Sequence, residues 1–139
     1  MDLINEITLP KNWSELIAIK KIIPFLTNKV TRFSENQQSY ENSQKIIPRE
    51  KLLQNILDEI GNQNIKITIN NFPYSRLTQY ITEVQQFVLW SKKGKLSSKI
   101  IETEIGKIFP NKDHFWFVNP PNNKSIPEIW HCHVFVKIK

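Results

Sequence analysis

The residues best suited to chemistry in this 139-residue chain lie near its end, in the run IPEIWHCHVFVKIK at 126–139. His131 and His133 flank Cys132 in an otherwise apolar stretch. Side chains alternate across a strand, so His131, His133 and Phe135 share one face with Ile129 and Lys137, and Trp130, Cys132, Val134, Val136 and Ile138 share the other. As residues i and i+2 of a strand, the two imidazoles stand roughly 6–7 Å apart at their Cα atoms. Imidazole serves near neutral pH as nucleophile, general base or metal ligand.

Three readings of the pair compete. A catalytic zinc takes three protein ligands, and His114 is the one other histidine, while Cys132 points to the opposite face. The spacing therefore argues against a metal centre. In the second reading His133 acts as nucleophile or base with His131 as its hydrogen-bond partner, and nearby amides and lysines stabilise phosphate charge. In the third, both histidines are half-buried polar residues serving the fold. No motif calls for a cofactor: SKKGK at 91–95 lacks the two-glycine spacing and GK[ST] ending of a phosphate-binding loop.

Elements must position this pair, and their pattern reads as α+β. Leu16, Ile17, Ile19, Ile22, Ile23 and Leu26 predict a helix within 13–27, capped by Asn12 or Ser14 and ended or kinked at Pro24. Segment 28–47 is polar and reads as a connector. PREKLLQNILDEIG at 48–61 predicts the clearest helix, with proline in its first turn and glycine at its stop. IKITIN at 65–70 alternates as a half-buried strand, and Phe87–Ser91 reads as a second strand running into a basic turn. A helix over 97–109 capped by Ser97 or Ser98, a strand over 114–119, the PPNNKSIP loop and the histidine strand follow. This predicts one domain over 1–139, mainly helical over 1–61 and β-rich over 62–139, with an antiparallel sheet of four to five strands. Trp90, Trp116 and Trp130 lie in apolar strands and read as core.

Hydrophobic residues make up 40% and charged residues 23%, which places the chain among ordinary globular proteins. No run approaches the ~20 apolar residues that span a bilayer, so no membrane association is expected. A single cysteine excludes an internal disulfide, and the first residues lack a basic, apolar leader; both point to the cytoplasm. The net charge of +6 suits an anionic partner, but its lysines are scattered, and nucleic acid is supported by charge alone.

NNFPYS, FVLWSK and FWFVNPPNNKSIPEIWHCHVFVK resemble the fungal family of N-acetylglucosamine-induced proteins, with Asn71 where that family usually has Asp. The resemblance implies a fold relation more than a reaction. More distantly, the same stretch is similar to the histidine-triad superfamily of nucleotide hydrolases and nucleotidyl transferases. That similarity implies His131 as the first histidine, His133 as the nucleophile and Asn119 as the loop asparagine at the nucleotide. Phe135 stands where the third histidine would, and phenylalanine can neither donate to a phosphate oxygen nor protonate a leaving group. The implied ligand is a nucleotide, nucleotide sugar or other small phosphorylated molecule. His131 and His133 would be the catalytic candidates, with Asn119, Ser125 and the Lys92, Lys93 and Lys95 turn binding the ligand. The rival class is a non-catalytic protein-interaction domain with a structural histidine pair.

Overall fold

The structure, a computed structural model, describes residues 8–26, 31, 48–120 and 126–139. Apart from Thr31, the connector 28–47 lies outside the described residues, as does Ser125.

The first helix, α1 (Trp13–Ala18), starts at an Asn12 cap whose Oδ1 accepts from the Glu15 amide at 2.9 Å. Glu15 reaches back to the Lys11 amide, so two otherwise unpaired donors at the chain's entry are satisfied together. The helix is shorter than its apolar pattern predicts. Pro24 lacks an amide hydrogen and its ring clashes with the carbonyl four residues earlier. The chain accordingly leaves the α-ladder and tightens into a 3-10 turn over Ile23–Phe25, with the proline in its opening positions.

Helix α2 (Arg49–Ile60) has Pro48 at its N-cap and stops at Gly61. There φ is +69°, a conformation in which a side chain would be strained. Helix α3 (Ser98–Ile108) is capped by Ser97, whose Oγ accepts from the Ile100 amide.

Four strands, β1 (Ile65–Ile69), β2 (Val84–Ser91), β3 (His114–Phe117) and β4 (Trp130–Lys137), form one antiparallel sheet in the order β1-β2-β4-β3. The histidine strand is therefore central. Trp90 lies opposite His131, Val88 opposite His133, and Phe117 opposite His133 from the other side. The second strand is longer than the apolar run Phe87–Ser91, because it begins with Val84, Gln85 and Gln86. Gln86 is buried, and its polar ends are satisfied by backbone, which apolar patterning does not register.

Both faces of the sheet are covered. On one, Phe87, Leu89, Cys132, Val134 and Val136 pack against Leu96 and against Ile101 and Ile105 of α3. On the other, Phe115, Phe117 and Phe135 pack against Leu16, Ile23, Leu26, Tyr74, Leu77 and Ile81. Beside them, Ile56 and Ile60 of α2 meet Ile126, Ile129 and Trp90. The α+β class with an antiparallel sheet stands as read from the sequence. The N-terminal helical layer is what closes the histidine face.

Candidate functional site

His131 and His133 project from β4 towards the N-terminal layer, as strand alternation requires, and are 7% and 8% exposed. Each ring sits in an aromatic row. His131 packs on Trp90 with ring centres 4.7 Å apart and edge-on to His133 at 5.7 Å. His133 stacks on Phe117 at 5.4 Å and tilts against Tyr74 at 5.2 Å. Phe135 continues the row by stacking on Phe115 at 4.8 Å, and it is fully buried. The apolar residue in the third position is thus a core side chain.

One ring nitrogen of each histidine meets a polar partner. His131 Nδ1 lies 2.9 Å from the Ile129 carbonyl, so it carries the proton and donates. His133 Nε2 lies 3.1 Å from Asn119 Nδ2 and 3.4 Å from the Tyr74 hydroxyl. Asn119 Nδ2 also donates to the Tyr74 hydroxyl at 3.1 Å. An amide nitrogen has two hydrogens, one for each of these acceptors, so His133 Nε2 accepts here.

Tyr74 is held from behind. Gln86 Oε1 accepts from the Tyr74 amide at 2.7 Å, and its Nε2 donates to the Tyr74 carbonyl at 3.2 Å and to Thr78 Oγ1 at 3.1 Å. Pro73 and an Asn70 side chain accepting from the Phe72 amide turn the chain back over the sheet. Three polar side chains far apart in sequence, Tyr74, Asn119 and His133, therefore meet at one end of the buried face. Asn119 and His133 were among the residues singled out. Tyr74 and Gln86 were not, since a tyrosine after a proline reads as plain turn chemistry. The signal available was the P-Y dipeptide of Pro73 and Tyr74 between two strands.

One lysine of the basic turn, Lys92, has its partner at α2. Lys92 Nζ donates to the Gly61 carbonyl at the C-terminus of α2, and Lys66 Nζ donates to the Glu59 carbonyl at 2.9 Å. Cations suit a helix C-terminus, where the last carbonyls lack partners. Lys93 and Lys95 are exposed, and the Lys93 amide donates to Ser91 Oγ. Ser125 lies outside the described residues.

Cys132 is fully buried on the α3 face, and burial pushes its thiol up to about 12, well beyond thiolate formation at neutral pH. Glu128 pairs with Arg49 at the start of α2 through two guanidinium nitrogens. That exposed pair holds the Glu128 carboxyl below its usual range. His114, the third histidine, donates to Glu102 of α3 and to the Lys112 carbonyl. Burial lowers its pKa, but the Glu102 hydrogen bond, the Lys112 carbonyl and the charges of Glu102 and Asp113 outweigh that and raise it. Among the described residues no group of three His, Cys, Asp or Glu is placed to hold a metal ion. No described helix is long and apolar enough to cross a membrane.

No protein-family model matches the chain, and no curated protein does. Among solved structures, the crystal structure of HTC1 is similar, with a TM-score of 0.61 at 17% identity over 94% of this chain and 86% of that one. At that identity the likeness concerns the fold.

Proposed function

We propose that this chain is a non-catalytic protein-interaction domain in which His131 and His133 build the core. The observation that carries this reading is the enclosure of both rings. They are buried among Trp90, Phe117, Tyr74 and Phe135, and the ring nitrogen that would attack phosphorus already accepts a hydrogen bond from Asn119. A nucleophile needs an open approach and a nearby cluster of donors for developing charge. Lys92 instead serves α2.

A second reading keeps the small phosphorylated ligand, a nucleotide or nucleotide sugar, in a divergent histidine-triad-like site. It is favoured by the convergence of Tyr74, Asn119 and His133, with Asn119 only half-buried at the foot of the loop that leads to β4. A thermal-shift panel of nucleotides and sugar phosphates, run on wild type and Asn119→Ala, separates the two. The interaction reading predicts no compound that stabilises wild type selectively. A saturable shift present in wild type and lost in Asn119→Ala establishes the ligand site instead.

A further inference from the structure

Among the described residues the outer strands of the sheet are β1 and β3. The Lys137 amide donates to the Asp113 carbonyl at 2.8 Å, and His114 lies opposite Val136, so Asp113 and Lys137 form a hydrogen-bonded pair. Such pairs alternate along an antiparallel ladder. Phe115 and Phe117 therefore turn their backbone groups towards β4, while His114 and Trp116 turn an N–H and a C=O each away from it.

A cleft of about 320 Å³ runs along this edge. It is lined by the consecutive residues Phe115, Trp116 and Phe117, whose side chains point to opposite faces, so its floor is the strand's edge itself. Lys20, Lys21 and Pro24 of the N-terminal layer form one wall, and Glu102 and His114 stand at the other. Glu102 is bonded to His114, whereas among the described residues Lys20 and Lys21, both exposed, form no ion pair. The cleft thus combines a strand template about 13 Å long with two uncompensated positive charges.

We propose that the β3 edge docks an extended acidic peptide segment by strand addition, with its acidic side chains against Lys20 and Lys21. This rests on the interaction reading and names the chemistry of the partner. Main-chain hydrogen bonds to His114 and Trp116 supply the affinity, and the lysine wall selects for negative charge.

The test uses the full chain, labelled with ¹⁵N, and three capped seven-residue peptides. One alternates Glu with Val, one alternates Lys with Val, and one is the Glu peptide N-methylated at alternate residues. The expected result is that the Glu peptide perturbs the β3 amides and slows hydrogen exchange at His114 and Trp116. The Lys peptide, the N-methylated peptide and the Lys20→Glu/Lys21→Glu variant should each bind roughly tenfold or more weakly, and added salt should weaken the Glu peptide. Absence of binding at millimolar peptide, equal binding of the N-methylated peptide, or perturbations confined to another face would overturn the edge proposal. None of these results alters the interaction reading, which falls separately if a nucleotide or sugar phosphate gives an Asn119-dependent stabilisation.

Discussion

Replacing His133 with alanine separates a core histidine from a functional one by the sign and size of the stability change. The ring is 8% exposed and has aromatic neighbours at 5.2, 5.4 and 5.7 Å. Truncating a buried aromatic ring costs about 3–5 kcal/mol, and the smaller, more polar imidazole belongs at or below the low end, about 2–3 kcal/mol. Loss of the Asn119 hydrogen bond adds about 0.5–1 kcal/mol, because the half-buried amide can turn to water. The total is about 3 kcal/mol, a fall of roughly 10 °C in Tm for a chain of this size. His133→Phe keeps the stacking on Phe117 and gives up the hydrogen bond, so it should cost about 1 kcal/mol. Urea unfolding followed by tryptophan fluorescence and far-UV circular dichroism measures both. Binding and catalytic residues are commonly held at some expense of stability, and their removal often stabilises the fold. An unchanged or more stable His133→Ala would therefore refute the core role. Equal losses in the two variants would refute the claim that packing is the larger part.

Other consequences are as direct. Gln86→Leu removes three hydrogen bonds from a buried side chain and leaves the Tyr74 amide without its side-chain acceptor, so unfolding should show a loss of about 2–3 kcal/mol with reduced protection of that amide. His114 has a folded pKa above its ordinary 6.5, so its contribution to stability is complete below that value and disappears as pH rises through the folded pKa. Denaturation across that window should show wild type losing stability with rising pH and His114→Gln losing less. Lys92→Met withdraws a cation from the C-terminus of α2 and should cost about 0.3–1 kcal/mol, checked by the same unfolding curves. The Cys132 thiol should react with a disulfide reagent only as fast as the chain unfolds, and rapid reaction of the native protein would contradict its burial.

Much of this architecture was legible because local rules and tertiary packing agree. The stripe of Leu52, Leu53, Ile56, Leu57 and Ile60, with Pro48 before it and Gly61 after it, could form little other than α2. Alternation in β4 separated Cys132 from the histidines correctly. Alternation alone could not say whether the histidine face was open, since that depends on Leu16, Ile23 and α2 folding back over it from distant parts of the chain. Nor could it find Tyr74 and Gln86, because the clamp between them joins a loop backbone to a strand side chain and leaves no periodicity. The partner of Lys92 was hidden for a related reason. Lys92 is drawn to the carbonyls ending α2, a partner 31 residues earlier in the chain.

The enclosure of the histidine pair is tested most directly by carbethoxylation of the native protein, mapped by mass spectrometry with and without the nucleotide and sugar-phosphate panel. His131 and His133 should be modified only at the rate of global unfolding, with no compound changing that rate selectively. Rapid modification of either ring in the native protein, or protection of that ring by one of the compounds, would contradict the account and place a ligand at the site.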